Sequence, residues 1–180
     1  RNDAKFKDFF KRSRFIEIFY VNNYPELLKI EKGLKEIKQI DFDSILAIGG
    51  GSVIDTAKII KAFFNNERKS IRNLIGKKII INKSKKFLEL IAIPSTAGTG
   101  SEVTPYATLW DFEENKKYSI SADFLIPDYA FVDPELLENS PQNVLINTGF
   151  DAVNQAFDSI WNKSATIETI ELAIISLTYG

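Results

Sequence analysis

Three consecutive glycines, Gly49 to Gly51, stand between the apolar run Ile45-Leu46-Ala47-Ile48 and the segment Ser52-Val53-Ile54-Asp55-Thr56-Ala57-Lys58, an order of residue types suited to holding a phosphate. The run before the glycines reads as a strand that carries the backbone to a sheet edge, and the loss of every Cβ at the turn lets a ligand approach the chain closely. Ser52 stands where a helix N-cap belongs, so unpaired amides and the positive helix end would face the loop, the physical basis of pyrophosphate binding. The loop is not a G-x-G-x-x-G fingerprint, and glycines also serve tight turns that bind nothing. The second motif, Ser95-Thr96-Ala97-Gly98-Thr99-Gly100-Ser101-Glu102, decides between these readings.

The elements that must position these segments follow from periodicity. Phe6 to Arg12 reads as the end of an amphipathic helix, and Phe15 to Tyr20 as a strand from its β-branched and aromatic content. Tyr24-Pro25 opens a helix through Lys38, with Pro25 in the tolerated first turn and Leu27, Leu28, Ile30, Leu34 and Ile37 at helical spacing. A strand over Ser44 to Ile48 and a helix over Ser52 to Phe64 complete a β-α-β-α series, which predicts a parallel sheet covered by helices on both faces. Leu88 to Ile93 reads as a buried strand leading into the threonine-glycine segment. Tyr106 to Trp110 and Tyr118 to Ser121 predict a hairpin around the polar turn Asp111 to Lys116, and Tyr129 to Val132 a last strand. Ser140-Pro141 then starts a helix, and the chain reads helical from Gln142 onward, with a break near Asn162 to Ser164. The expected fold class is α/β: a parallel-sheet, Rossmann-like nucleotide-binding domain over residues 1–139, followed by the first helices of an all-α domain over 140–180.

With 180 residues, 44% hydrophobic and 26% charged, the composition is that of a globular chain with a real core. A formal net charge of -1 offers no general attraction for nucleic acid or acidic membranes and points to a small-molecule partner. Lys77-Lys78 and Lys83 to Lys86, around Ile79-Ile80-Ile81, read as a solvated loop and strand end. The absence of cysteine excludes a disulfide framework and a thiolate metal site. Without a secretory signal or a membrane-spanning apolar run, the cytoplasm is the expected compartment. The chain contains neither histidine nor methionine, starts at Arg1 and ends inside a helical pattern at Thr178-Tyr179-Gly180, which reads as a fragment.

Taken together, Gly49-Gly50-Gly51-Ser52-x-x-Asp55, Ser95 to Thr104, Val132-Asp133-Pro134 and Gly149-Phe150-Asp151-Ala152 resemble, in order and approximate spacing, the iron-containing (group III) alcohol dehydrogenase family. The resemblance implies a first domain that binds NAD or NADP, and a helical second domain whose divalent metal, Fe2+ or Zn2+, faces the nicotinamide across a cleft. By position, Gly50, Gly51 and Ser52 would hold the cofactor pyrophosphate, and Thr96, Thr99 and Ser101 would line the nicotinamide side. Lys117 matches a family lysine that lies against the cofactor; by itself it reads as a solvated hairpin residue. Asp55 either points back to the loop or favours the positive end of its helix by charge. Glu102 reads as closing its own turn. The segments Gln155 to Trp161, Tyr106 to Asp111 and Lys116 to Ser119 look like a phosphonoacetaldehyde-reductase-type branch, while Trp110 and Trp161 read as packing residues.

The family places an aspartate and, four residues later, a histidine on one helical face as metal ligands. Here those positions are Asp151 and Gln155, and an amide oxygen is a much poorer donor to iron or zinc than imidazole. The resemblance puts the two remaining histidine ligands beyond Gly180, which leaves Asp151 as the one ligand on this chain; judged without the family it reads as a solvated helix charge. The expected reaction is hydride transfer between NAD(P)H and a small aldehyde or alcohol, with no catalytic residue named and a homodimer compatible with it. Two alternatives stand beside it. One is a catalytically silent nucleotide-binding fragment or paralogue, and the other a lyase of the dehydroquinate-synthase type, over which the Thr96 to Ser101 run favours the dehydrogenase.

Overall fold

The computed structural model describes residues 18–64, 70–75, 87–138 and 140–179. The helix end expected at Phe6 to Arg12, the start of the strand expected from Phe15, and the lysine-rich run at 77–86 lie outside the described residues. Along the chain come α1 (Leu27–Ile37), β1 (Ser44–Gly49), α2 (Gly51–Phe63), α3 (Ile71–Leu74), β2 (Glu89–Pro94), β3 (Tyr106–Asp111), β4 (Lys116–Ser121), β5 (Tyr129–Ala130), α4 (Gln142–Trp161) and α5 (Ile167–Tyr179). Ile18 to Tyr20 carry no regular structure: among the described residues no strand is paired with them, and Ile18 and Tyr20 stand exposed.

The expected β-α-β order is present. β1, β2 and β5 form a parallel sheet in that order, with Ser44 opposite Glu89 and the register running on to Gly49 opposite Pro94. This register makes the glycine loop and the threonine-glycine loop leave the same sheet edge side by side. Ligands of open α/β sheets gather at such carboxyl ends. β3 and β4 form the expected antiparallel hairpin, from Tyr106 opposite Ser121 to Asp111 opposite Lys116. Its turn is closed by Asn115 at φ 51°, a conformation asparagine tolerates better than most residues.

Helix α2 is the axis of the domain. On one side Ile54 and Ala57 pack against Ala47, Leu90 and Ala92 of the sheet. On the other, Ile59, Ile60 and Phe63 join Leu27, Ile30 and Leu34 of α1 and Leu109 and Ile120 of the hairpin. Each large apolar side chain buried in this way stabilises the fold by roughly 1.5–3 kcal/mol. Being covered on every side, α2 also buries two charges, Lys58 and Lys61. Lys61 is matched by Asp128 at 2.7 Å, and the same carboxylate oxygen accepts the Leu90 amide at 2.7 Å, which fastens the approach to β5 onto β2.

Two helix starts differ from the sequence reading. Pro25 is not in the first turn of α1; Glu26 is the N-cap, and the Pro25 carbonyl accepts the Trp110 amide at 2.8 Å, which keeps this residue in an extended segment along β3. Ser52 is not the N-cap of α2 either. Gly50 holds that position in an extended conformation, and Ser52, inside the first turn, donates its hydroxyl to the Asn23 carbonyl at 3.0 Å. The last strand is shorter than expected, ending at Ala130, because the chain turns at Asp133, whose carboxylate caps the 3-10 turn at Pro134–Leu136.

The helix expected from Ser140-Pro141 is α4, with Pro141 as its N-cap, and it breaks after Trp161. Helices α4 and α5 pack on each other, leaving Phe150, Trp161, Ile167 and Leu172 exposed among the described residues. Trp161, expected to pack in a core, is 75% exposed and stacks only on Phe157, 5.4 Å away. No helix among the described residues is long and apolar enough to cross a membrane.

A third buried charge closes the hairpin. Asp111 receives Arg72 Nε and Nη2, each at 2.7 Å, together with the amides of Glu113 and Glu114. The guanidinium holds the Asp111 carboxyl below the ordinary carboxylate range. A carboxyl depressed on folding adds stability above its unfolded pKa, and that stability is lost as pH falls through the folded value. Arg72→Ala is therefore expected to lower the urea midpoint at about pH 7, with the gap to the parent closing at about pH 3, where Asp111 is protonated in the variant and increasingly so in the unfolded parent. An unchanged midpoint at neutral pH would show that the pair contributes nothing to stability.

Candidate functional site

The site is built where the two loops leave the sheet. Gly49 has φ 155°, and a Cβ there would run into Val53, so the chain can turn from β1 into α2 only without a side chain. Gly50 and Gly51 face the second loop: a Cβ on Gly50 would lie 3.0 Å from Thr96 Oγ1, and one on Gly51 3.0 Å from Thr99 Cγ2. The loops are tied at their root by the Ser95 amide, which donates to the Gly49 carbonyl at 3.0 Å. No side chain caps the start of α2. Its first amides and the positive helix end thus stay uncapped beside two threonines that pack on the glycines, the donor set a pyrophosphate needs.

One turn into α2 the structure departs from the sequence reading. Asp55 neither points back to the loop nor merely sits in the helix field: its carboxylate accepts Ser101 Oγ at 2.7 Å and the Thr108 amide at 2.8 Å. Burial pushes its carboxyl above the ordinary range, against the opposing pull of those two bonds and of Lys58 and Lys117. Ser101 is buried, and its hydroxyl is used in both directions, donating to Asp55 and accepting from Lys58 Nζ at 3.2 Å. Asp55 and Ser101 are therefore occupied by the protein, and Thr99 Oγ1 accepts the Ser101 amide at 3.3 Å, which leaves its hydroxyl hydrogen to give.

Lys58 was not among the residues singled out from sequence. It is fully buried, and its ammonium also reaches the Thr104 carbonyl (2.8 Å), Thr104 Oγ1 (3.3 Å) and the Tyr106 carbonyl (2.8 Å). Burial lowers its pKa to about 8, with Asp55 and Glu102 opposing the shift. The signal was available: a helix apolar nearly all round is a buried helix, and any lysine in it must find partners.

Lys117 sits on β4 opposite Trp110, with its Nζ 5.3 Å from that ring. Trp110 in turn contacts Tyr24, at 5.3 Å, and stacks with Phe112 at 6.1 Å. Lys117 is exposed on the hairpin face that carries Trp110, opposite the face whose Leu109 and Ile120 pack in the core with α2, and its charge is felt at Asp55.

The helical unit meets the site at one place. Gly98 has φ 114°, and a Cβ there would overlap the Thr148 carbonyl of α4. Asp151 lies three residues beyond Thr148, on the same side of α4. Its carboxylate accepts Gln155 Nε2 at 2.9 Å. As a metal centre this arrangement does not fit: it offers one carboxylate, against which an amide turns its donor, and no group of three acidic, histidine or cysteine side chains gathers among the described residues.

Residues 9–134 match the family model described as iron-containing alcohol dehydrogenase. The chain is 35% identical over 157 residues to an aldehyde-alcohol dehydrogenase of Streptococcus pneumoniae, covering 83% of this chain and 18% of that protein. It is 31% identical over 147 residues to a phosphonoacetaldehyde reductase of Streptomyces viridochromogenes, covering 80% of this chain and 37% of that protein. The fold superposes with a TM-score of 0.78 on the crystal structure of sulfoacetaldehyde reductase from Bifidobacterium kashiwanohense in complex with NAD+, at 28% identity, covering 90% of this chain and 43% of that one. The chain thus spans well under half the length of these relatives. The paired loops at the sheet edge and the match across most of its length agree: the chain belongs to the iron-containing alcohol dehydrogenase family.

Proposed function

We propose that this chain forms the dinucleotide-binding part of an oxidoreductase that transfers a hydride between NAD(P)H and a small aldehyde or alcohol. The observation that carries the reading is the facing pair of loops, in which Thr96 and Thr99 pack so closely on Gly50 and Gly51 that a Cβ on either glycine would lie 3.0 Å from a threonine atom, beside the uncapped start of α2. The start of α2 would hold the pyrophosphate through backbone amides and its dipole. Thr96 and Thr99 would offer hydroxyls from the second loop, and Lys117 a positive charge at the rim of the site. Bound there, the dinucleotide supplies the hydride chemistry that no side chain of this chain can supply.

The protein's share is orientation and exclusion of water from the site. Asp55 and Ser101 support the loops from behind and do not touch the ligand. No general acid is assigned, because histidine is absent and Lys58 is spent on neutral oxygens of the fold. No step is routed through iron, which the family name carries, since Asp151 and Gln155 do not make a metal site by themselves. That same contact favours a second reading, a nucleotide-binding protein without metal-assisted chemistry. The substrate names of the relatives support a small aldehyde, a phosphonate- or sulfonate-bearing one included, as the class to test first.

Gly50→Ala and Gly51→Ala are each expected to weaken NADH or NADPH binding by about tenfold or more, through lost space and lost close approach, with little change in melting temperature. Fluorescence titration of the nucleotide checks this, and unaltered affinity would remove the glycine loop from the cofactor site. Stoichiometric NADH binding by the natural protein without reduction of any small aldehyde, with Fe2+ added, would overturn the dehydrogenase reading and leave the second one. Gln155→His is expected to raise the Fe2+ retained after dialysis in the natural protein, measured by elemental analysis; equal retention would show that this position does not face a metal.

A further inference from the structure

We infer that Lys58 and Asp55, joined through the Ser101 hydroxyl, are positioning residues that set how the threonine-glycine loop stands against the glycine loop. The ligand at these loops rests on the function proposed above; the grip itself does not.

Thr96 and Thr99 can stay packed on the glycine loop only if their own loop is held in place. That loop begins at β2, where the Ser95 amide is tied to Gly49, and crosses two glycines with positive φ, Gly98 and Gly100, before it reaches β3. Glycines in such conformations give the backbone freedom that something else must remove. At the far end the whole stretch from Ser101 to Thr108 is held by α2. Lys58 donates to Ser101, Thr104 and Tyr106, and Asp55 accepts from Ser101 and Thr108. The same helix begins at Gly51, the residue that faces Thr99. One rigid rod therefore carries one loop at its end and grips the other along its side, so the placement of one against the other is set by the helix and not by the loops.

The grip depends on protonation. Lys58 Nζ lies within hydrogen-bond distance of four oxygens, a protonated amine has three N–H groups to give, and a neutral one has two. The charges acting on Lys58 are Asp55 on α2 and Glu102 in a separate 3-10 turn, Ser101–Val103, and Lys117 on β4 acts on Asp55. With burial holding Lys58 near pKa 8, the amine loses a donor as pH rises through that value, and one contact to the second loop goes with it. Dinucleotide affinity should fall in the same range.

The test compares the natural protein with Lys58→Met, which keeps the length and removes the charge, and with Ser101→Ala, which removes only the shared hydroxyl. Expected in Lys58→Met is an increase of about tenfold in Kd or KM for NADH or NADPH, the size that follows from losing hydrogen bonds to a charged buried group, with kcat at saturating cofactor nearly unchanged. In the parent, Kd should rise between about pH 7 and about pH 9 with an inflection near 8, and Lys58→Met should give a flat profile. A parallel pH profile in both proteins, or a fall in kcat with unchanged KM, overturns the inference. If Lys58→Met does not fold, Ser101→Ala carries the affinity comparison alone: a raised Kd sustains the inference, and an unchanged Kd overturns it. Should the parent bind neither nucleotide, the cofactor reading fails, and amide hydrogen exchange decides the grip alone. Faster exchange at residues 99–108 in the variant, with residues 44–49 unaltered, sustains it, and equal exchange overturns it.

Discussion

The burial of α2 from Thr56 to Phe63 is the constraint on which the rest of this domain depends. A helix packed against a parallel sheet on one side and against α1 and a hairpin on the other has no face left for water, so every polar atom it carries must be met by the protein. Lys61 is met by Asp128, which in turn holds the Leu90 amide. Lys58 is met by four oxygens of the segment between the threonine-glycine loop and β3, and Asp55 by two donors of the same segment. These partners are what connect the sheet, the hairpin and the second loop into one body. Leu, Ile and Phe contacts supply most of the energy, but they are non-directional; the buried charges say where each neighbour must stand.

A consequence of this arrangement is a division of labour among hydroxyl residues that look alike in the chain. Thr96 and Thr99 face the glycines of the first loop, whereas Ser101 and Thr104, only a few residues on, face the lysine of α2. The first pair packs on the glycine turn, and the second pair is held by the helix that starts there. Gly98 adds a contact of a different kind, since its missing side chain lets the Thr148 carbonyl of α4 approach the second loop. The loop thus touches both units of the chain, and a single residue with a Cβ at 98 would have to push one of them aside.

Much of the fold was legible from residue order. Apolar runs of strand length alternating with helical periodicity marked β1, α2 and β2 within a residue or two, and the polar turn at Asp111 to Lys116 marked the hairpin. The helix starts were less legible, because Ser52 and Pro25 carry capping signals that a competing partner overrides: the Asn23 carbonyl takes the serine hydroxyl, and the Trp110 amide takes the proline carbonyl. Trp161 misled for a related reason. A large aromatic side chain promises a core, and α4 and α5 bury only the faces they turn to each other.

For the site, the sequence by itself determined the chemistry of the two loops: glycines after one strand, threonines and glycines after the next, and the family to which they belong. Local residue types suffice for that, since a loop without Cβ atoms and a loop rich in hydroxyls keep those properties wherever they lie. Only the tertiary structure decided which polar side chains of the second loop the helix engages. Asp55 and Lys58 are separated from their partners by more than forty residues, and no spacing rule within a helix reaches across that distance. Parallel pairing of β1 with β2 and the burial of α2 bring those groups together, and burial then turns a helix aspartate and a helix lysine into the frame of the loop they face.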